Sequence, residues 1–234
     1  MQTPELIFFQ STDELARAVA GAWLDEIAAA NRAGNRHHVA LSGGRITQKL
    51  FSSVVEISKS RGVALTNVHF FWADERCVPP DHAESNFRMA DELLFAPLKI
   101  SGQQVHRIRG EEVPHVAAAS ASTDFLKITS VLDLVLLGIG EDGHVASLFP
   151  NATLETFNCK TPFLAVANSP KPPPDRVSLS YAAIAAAREV WVVASGAGKE
   201  AALRESLKIG GTTPLARVIA GRARTRVFTD IRLP

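Results

Sequence analysis

The sequence predicts an α/β fold of three layers, α/β/α, with a mostly parallel sheet in the middle and residues 1–234 forming one domain. Three observations predict it. Strand-like segments alternate with helical ones from end to end, as in a chain of βαβ units. "LDLVLLGIG" at 132–140 is apolar without alternation, as a central strand buried on both faces must be. Four segments, "VALSGGR", "FFWADER", "LVLLGIGEDGH" and "VVASGAGK", switch abruptly from apolar strand to glycine or charge. In open parallel sheets of this Rossmann-like kind the ligand crevice lies beyond the carboxyl ends of the strands, so the fold gathers these four switches at one edge.

Each element has its own signal. "STDELARAVAGAWLDEIAAANRAG" at 11–34 opens with Ser11 and Glu14 in capping-box spacing, repeats Leu15, Val19, Trp23 and Ile27 at helical spacing, and stops at Gly34. "HHVALSGG" at 37–44 is a short strand entering a glycine turn, and "ITQKLFSSVVEISKS" at 46–60 is the helix after it. "NVHFFWADE" at 67–75 is a buried strand ending in charge, "ESNFRMADELLF" at 84–95 is helical, and "QVHRI" at 104–108 is a short strand candidate. "EEVPHVAAASASTDFLKI" at 111–128 is a helix with Pro114 in its first turn, where proline is tolerated. After the central strand come two more, "FLAVA" at 163–167 and "EVWVVAS" at 189–195. "NSPKPPPDR" at 168–176, too short for a linker, reads as a rigid loop or lid edge. "GAGKEAALRESLK" at 196–208 is a helix, and "TRVFTD" at 225–230 is the last strand.

Composition narrows the function classes. Hydrophobic residues make up 46% and charged residues 21%, enough to bury a substantial core. A net charge of +1 gives no bulk attraction for nucleic acid or anionic lipid, so neither nucleic acid nor membrane is an expected partner. Two cysteines, Cys77 and Cys159, make neither a disulfide framework nor a metal spacing. The N-terminal residues lack a basic stretch followed by an apolar one, and no run approaches the roughly 20 apolar residues of a membrane span. The expectation is a cytoplasmic protein.

Gly138, Gly140 and Gly143 match G-x-G-x-x-G after a strand, the dinucleotide pattern. Its context fails. The pattern should open a long helix and lead to an acidic residue about 20 positions on. Here Pro150 comes too early, and position 158 is an asparagine with no strand before it. The turn instead presents His144, with Asp142 two positions earlier, at the ligand edge. A neutral imidazole, with an unperturbed pKa of about 6.5, is a good general base near neutral pH. His82, after "DERCVPPD", is the next best placed histidine.

Ser42, Gly43 and Gly44 offer backbone N–H groups ahead of a helix, an arrangement suited to anions. Taken singly, this reads equally well as a tight turn. Lys199 after "SGAG" and Arg76 in "WADER" read singly as solvated cations. Together they suggest a clamp for a phosphate. The chain lacks the P-loop sequence, so the phosphate belongs on a small metabolite rather than on ATP. It also lacks a G-x-S-x-G nucleophile elbow and a cluster of metal ligands, which leaves water activated by a base.

These residues resemble the 6-phosphogluconolactonase family. The resemblance rests on "LSGG" at 41–44, "WADERCVP" at 72–79 with Ser85 and Asn86 following, "GIGEDGHVASLFP" at 138–150, "RVSL" at 176–179 and "GAGK" at 196–199. Order and spacing agree over nearly the whole chain. Glucosamine-6-phosphate deaminase shares the fold and some blocks. It typically has "D-E-Y" where this chain has Asp74-Glu75-Arg76, and "A-F-N-E-P" where this chain has "ASLFP". Both differences favour the lactonase. A silent sugar-phosphate sensor is the third reading, opposed by the complete set His144, Arg76 and Lys199. The chain departs from the lactonase pattern after "LSGG", where "S-T-P" is usual and Arg45-Ile46-Thr47 stand here. The usual threonine hydroxyl is absent at Ile46, and Arg45 offers a replacement cation.

The resemblance implies a fold like that of glucosamine-6-phosphate deaminase and ribose-5-phosphate isomerase. It implies hydrolysis of 6-phospho-D-glucono-1,5-lactone with no cofactor; no metal is expected, and a monomer or weak homodimer is expected. His144 would take the proton of the attacking water, with Asp142 holding the imidazole. Arg76, Lys199 and the Ser42-Gly43-Gly44 turn would fix the phosphate, and Asp74 and Arg176 would line the pocket.

Overall fold

The computed structural model describes residues 3–222 and 224–233. The first strand is β1 (Glu5–Phe8), followed by α1 (Thr12–Arg32), β2 (His37–Leu41), α2 (Arg45–Arg61), β3 (Val68–Trp72) and β4 (Asp74–Arg76). Next come α3 (Asn86–Ala90), α4 (Ala96–Leu98), α5 (Pro114–Ile128), β5 (Leu134–Gly138), α6 (Leu154–Asn158), β6 (Phe163–Val166) and β7 (Arg176–Leu179). The chain finishes with α7 (Tyr181–Ala186), β8 (Glu189–Ala194), α8 (Glu200–Leu207), α9 (Pro214–Ala220) and β9 (Arg226–Thr229).

Six strands form one sheet in the order β1-β9-β8-β5-β2-β3, and every pairing within it is parallel. The connections β1-α1-β2 and β2-α2-β3 run towards one edge of the sheet, and β8-α8-α9-β9 runs towards the other. Right-handed crossovers travelling in opposite directions place their helices on opposite faces. Accordingly α1 packs on α2, and α8 packs on α9. The reversal of strand order falls at the neighbours β2 and β5, which makes the gap beyond their carboxyl ends the switch-point crevice. The central β5 is buried along Leu134, Val135, Leu136 and Leu137, which accounts for its unbroken apolar sequence. Trp23 of α1 is fully buried, and its indole N–H donates to His37 Nε2 at 3.2 Å.

A second sheet, β4-β7-β6, is antiparallel and separate from the first. "FLAVA" therefore forms a strand, but in this small sheet and not in the parallel one. "RVSL" is its middle strand, invisible in the sequence because its partners lie about a hundred residues upstream and a loop's length away. "QVHRI" is not a strand. It makes one isolated bridge, Val105 to Phe70, beyond the edge strand β3. "ESNFRMADELLF" is helical with a π turn at Asp91–Phe95 between α3 and α4. The helix at "GAGKEAALRESLK" begins with a 3-10 turn at Ala197–Lys199, and its α-helical part starts at Glu200. At α1 the capping box is half formed: Ser11 Oγ accepts from Glu14 N–H, but Glu14 Oε2 reaches back to Gln10 N–H. No described helix is long and apolar enough to cross a membrane.

Candidate active site

Beyond β5 the chain closes into a tight turn. Gly143 N–H donates to Gly140 O at 3.0 Å, and Gly140 N–H donates to His144 O at 2.9 Å. A methyl group at Gly140 would lie 2.0 Å from His144 Nδ1 and 2.6 Å from Asp142 Oδ1, so only glycine lets these side chains fold back over the turn. Gly143 has φ +82°, and a methyl there would sit 2.7 Å from Thr213. From His144 the chain runs irregularly as far as Thr153, with Ala146 at φ +50°, and no long helix forms. The glycines shape a presenting turn, and the dinucleotide context is missing in three dimensions as it is in sequence.

His144 Nδ1 lies 2.5 Å from Asp142 Oδ1, and the His144 backbone N–H donates to the same oxygen at 3.3 Å. A carboxylate accepts only, so Nδ1 carries the proton and Nε2 keeps its lone pair. Burial lowers the His144 pKa below the ordinary imidazole value, and the Asp142 hydrogen bond and charge oppose this without reversing it. The ring is therefore neutral near pH 7. Burial alone would raise Asp142, but its hydrogen bond and charge interaction with His144 bring its pKa below the usual carboxylate range. Phe149 packs against the imidazole at 4.7 Å between ring centres.

The small sheet supplies the opposite wall. Asp74, 5% exposed, accepts from Ser147 Oγ at 2.6 Å. Arg176 Nη1 lies 3.9 Å from the same Asp74 oxygen. Arg176, expected to line the pocket, is almost wholly buried. It is 4% exposed, and it donates to the carbonyls of Lys171 (3.1 Å), Pro172 (2.9 Å) and Pro173 (3.0 Å) and to Ser147 Oγ (3.4 Å). The physical reason is its place at the start of β7, where a buried guanidinium must satisfy its donors and finds the returning loop carbonyls. Burial lowers its pKa, and Asp74 opposes.

Arg76 is half-buried. Its Nη1 donates to the Glu84 carbonyl at 2.7 Å, while its buried Nε has no partner among the described residues. Below it Glu75 anchors the following helix, accepting from the backbone N–H groups of Arg76, Asn86 and Phe87. Burial raises the Glu75 pKa against those hydrogen bonds. Asn86 fixes the glycine turn of β2: a methyl at Gly43 would meet Asn86 Oδ1 at 2.0 Å. Ser42 Oγ donates to Leu136 O at 2.7 Å, so this hydroxyl ties β2 to β5. Gly44 caps α2 at φ +111°, Arg45 is exposed in its first turn, and Ile46 points into the core at 5% exposure. A threonine hydroxyl at position 46 would have to enter that core, whereas Thr47 Oγ donates to Gly43 O at 3.0 Å.

The Lys199 ammonium makes no hydrogen bond or ion pair with a described residue, while its backbone N–H donates to Gly196 O at 3.1 Å. Burial lowers its pKa most, Arg45 and Lys171 lower it further, and Glu141 and Asp230 raise it. Asp230 holds the preceding turn, accepting from Ser195 Oγ at 2.7 Å, Thr12 Oγ at 2.7 Å and Gly196 N–H at 3.1 Å. The cations thus fall into two groups. Arg76 acts on Arg176, whereas Lys199 is grouped with Arg45 and Lys171. His82 is exposed and accepts from the N–H of Glu84, the residue that also holds Arg76, at 3.1 Å. Sequence reasoning missed Ser147, Phe149 and Lys171. The signal for Lys171 was a lone lysine inside a proline run, which a flexible linker would not need.

A parallel α/β sheet that presents a neutral histidine hydrogen-bonded to a carboxylate at its switch-point edge defines an α/β protein equipped for base chemistry. Residues 10–227 match the family described as glucosamine-6-phosphate isomerases/6-phosphogluconolactonase, and the chain belongs to it. It is 33% identical to a 6-phosphogluconolactonase of Streptomyces coelicolor, over 97% of this chain and 92% of that protein. It is 34% identical to a 6-phosphogluconolactonase of Mycobacterium tuberculosis, over 91% of this chain and 89% of that one. The crystal structure of 6-phosphogluconolactonase from Thermotoga maritima superposes with a TM-score of 0.84 at 28% identity, covering 98% of this chain and 99% of that one. A monomeric glucosamine-6-phosphate deaminase superposes with a TM-score of 0.83 at 16% identity over 96% of each chain, a likeness of fold alone.

Proposed function

We propose that this chain hydrolyses 6-phospho-D-glucono-1,5-lactone to 6-phospho-D-gluconate, the lactonase step of the oxidative pentose phosphate pathway. Family membership and relatives at about a third identity support the reaction. The observation that carries the mechanism is the His144–Asp142 pair at 2.5 Å with Nε2 left free. Water bound at Nε2 adds to the lactone carbonyl carbon as its proton passes to the imidazole. The carbonyl electron pair becomes an oxyanion, which backbone N–H groups of the glycine turns stabilise. The pair then returns, the bond from carbon to the ring oxygen breaks, and the imidazolium gives its proton to that oxygen. Asp142 keeps Nδ1 protonated and steadies the imidazolium between the two steps.

Lys199, Arg45 and the Ser42-Gly43-Gly44 turn grip the phosphate from the parallel sheet, and Arg76 does so from the small one. Asp74 faces the sugar beside Ser147, and Arg176 supports this wall from below. Among the described residues no group of three or more His, Cys, Asp or Glu side chains is arranged to hold a metal. Residues 1–234 act as one domain, at a cytoplasmic site, as a monomer or weak homodimer. The test is lactone hydrolysis followed directly, with ammonia release from glucosamine 6-phosphate as the control. Acceleration of lactone opening without ammonia is expected; ammonia release without it would refute the reading.

A further inference from the structure

We propose that Thr213, the N-terminal cap of α9, is a positioning residue that holds the peptide between Gly143 and His144 in the plane from which Asp142 grips the imidazole. This rests on the lactonase reading above. The two hydrogen bonds inside the turn are Gly143 N–H to Gly140 O and Gly140 N–H to His144 O. They use neither the Gly143 carbonyl nor the His144 N–H. Both of these groups belong to one planar peptide, and in a trans peptide they point opposite ways. The His144 N–H donates to Asp142 Oδ1 at 3.3 Å, the oxygen that also faces Nδ1. The Gly143 carbonyl accepts from Leu215 N–H at 3.2 Å. The peptide is therefore pinned at both ends, by Asp142 and by α9.

The start of α9 leaves one donor for this bond. The first N–H groups of a helix have no partner within it. Pro214, at the first position, has no N–H to satisfy. Ala216 N–H donates to Thr213 Oγ1 at 3.0 Å. Leu215 N–H lies between these two in sequence and goes to the turn that carries His144. Thr213 is itself held. Its Oγ1 lies 2.6 Å from Ser206 Oγ of α8, and Ser206 Oγ donates to Ala202 O at 2.6 Å. A hydroxyl has one proton, so Thr213 is the donor to Ser206. Both residues are buried. Thr213 also packs on the Cα of Gly143, where an added methyl would meet its Cβ and Cγ2 at 2.7 Å.

Thr213 touches no substrate and moves no proton. Its effect reaches the attacking water through Asp142 and His144 alone. Rotation of the pinned peptide would carry the His144 N–H off Asp142 Oδ1 and loosen the carboxylate that keeps Nδ1 protonated. Misplacement of a reacting group by about 1 Å costs about a hundredfold in rate.

The experiment compares wild type, Thr213→Val, Thr213→Ser and Arg217→Met. Steady-state kinetics are measured on the phosphorylated lactone, and the proton resonance of His144 Nδ1–H is recorded without substrate. A proton shared between imidazole and carboxylate resonates downfield of the amide protons, and this one is assigned by its absence from His144→Asn. Thr213→Val keeps the shape and removes the hydroxyl. Its kcat is expected to fall roughly tenfold to a hundredfold with KM nearly unchanged, and the resonance to move upfield as the Asp142 bond lengthens. Thr213→Ser restores the hydroxyl and should recover most of the rate and the resonance. Arg217 stacks on Phe157 at 3.8 Å from the same helix, so Arg217→Met loosens α9 away from the turn. It should lower the denaturant midpoint and leave kcat and the resonance in place. An unchanged kcat or an unmoved resonance in Thr213→Val overturns the proposal. So does an equal loss of kcat in Arg217→Met, which would make α9 a general support of the fold. If Thr213→Val does not fold, Ser206→Ala, which leaves the Ala216 bond intact, takes its place, with a smaller loss in the same direction expected and unchanged values overturning the proposal. A wild type that does not accelerate lactone opening refutes the lactonase reading, and the resonance still decides the positioning of His144 by itself.

Discussion

The parallel sheet delivers its groups from the ends of strands, where glycine turns follow β5 and β8 and lead to His144 and Lys199. The antiparallel sheet delivers Asp74 and Arg76 from within a strand. At the strand ends position is set by backbone conformation, and the glycines at 140 and 143 leave the chain no other path. In the small sheet position is set by side-chain bonds between distant segments, with Arg176 at the centre. The difference assigns the two sheets different vulnerabilities: the first fails by losing chemistry, the second by losing shape.

The largest effect is expected on the parallel side. His144→Asn should lower kcat by about 10²–10⁴-fold, with KM and thermal stability nearly unchanged, since general base catalysis contributes that much. Gly140→Ala should approach the same loss, because its methyl occupies the space of the His144 and Asp142 side chains. Steady-state kinetics corrected for spontaneous hydrolysis measure both. If His144→Asn kept most of the corrected turnover, the base lies elsewhere, with Asp74 next in line.

On the antiparallel side the effect should appear as stability first. Arg176→Met strips the hydrogen bonds from three carbonyls and leaves Asp74 buried without its cation. Removing one partner of a buried pair costs about 3–5 kcal/mol. A denaturant midpoint that falls by the corresponding amount, with the slope unchanged, is the expected result. A stable Arg176→Met variant with a raised KM would instead restore Arg176 to the pocket wall.

These two kinds of positioning also explain what the sequence revealed. "GIGEDGHVASLFP" encodes its own turn, so His144 and Asp142 were legible from a few adjacent residues. The mostly parallel sheet was legible in kind, since an unbroken apolar run such as that of β5 must be buried on both faces, but its strand order was not. The pairing of Asp74–Arg76 with Arg176–Ser178 was not, because nothing local in "DER" or "RVS" specifies a partner a hundred residues away. β1, with three of its four residues exposed, has too little apolar pattern to be read as a strand at all. The burial of Arg176 was illegible for the same reason as β7: it depends on the preceding loop folding back over the strand.

A smaller effect compares the two cationic groups. The Lys199 ammonium has no partner among the described residues, whereas Arg76 is already held by Glu84 at 2.7 Å. A charge-assisted contact is worth roughly 1.5–3 kcal/mol, or about one to two orders of magnitude in binding. Lys199→Ala should therefore approach a hundredfold loss in kcat/KM for the phosphorylated lactone, and Arg76→Ala should lie nearer tenfold. The unphosphorylated lactone should be nearly indifferent to both. Equal losses on the two lactones would reduce these residues to supports of the fold.

The smallest effect is one of pH, and it joins the two sheets at one ring. The His144 pKa is lowered, first by burial and then by Lys171, while Asp142 and Asp74 raise it. Only the neutral imidazole accepts a proton, so activity should persist as pH falls through the ordinary imidazole value of about 6.5 and drop only below it. Asp142→Asn removes a raising influence and should move that acid limb further down, by less than it lowers the plateau. Stability changes with the same sign. His37 and His106 are pushed down to about 4, chiefly by burial, and His69 is also lowered. Between about 6.5 and 4 the unfolded chain binds protons at these rings that the folded chain does not, so stability falls as pH falls across that window. A buffered pH series of rate and of denaturant midpoint separates the two effects, because His37→Gln should flatten the stability curve and leave the acid limb of the rate in place. An acid limb at or above the ordinary imidazole value would mean that Asp142 and Asp74 outweigh burial and Lys171, and that the two sheets act on His144 in the opposite balance.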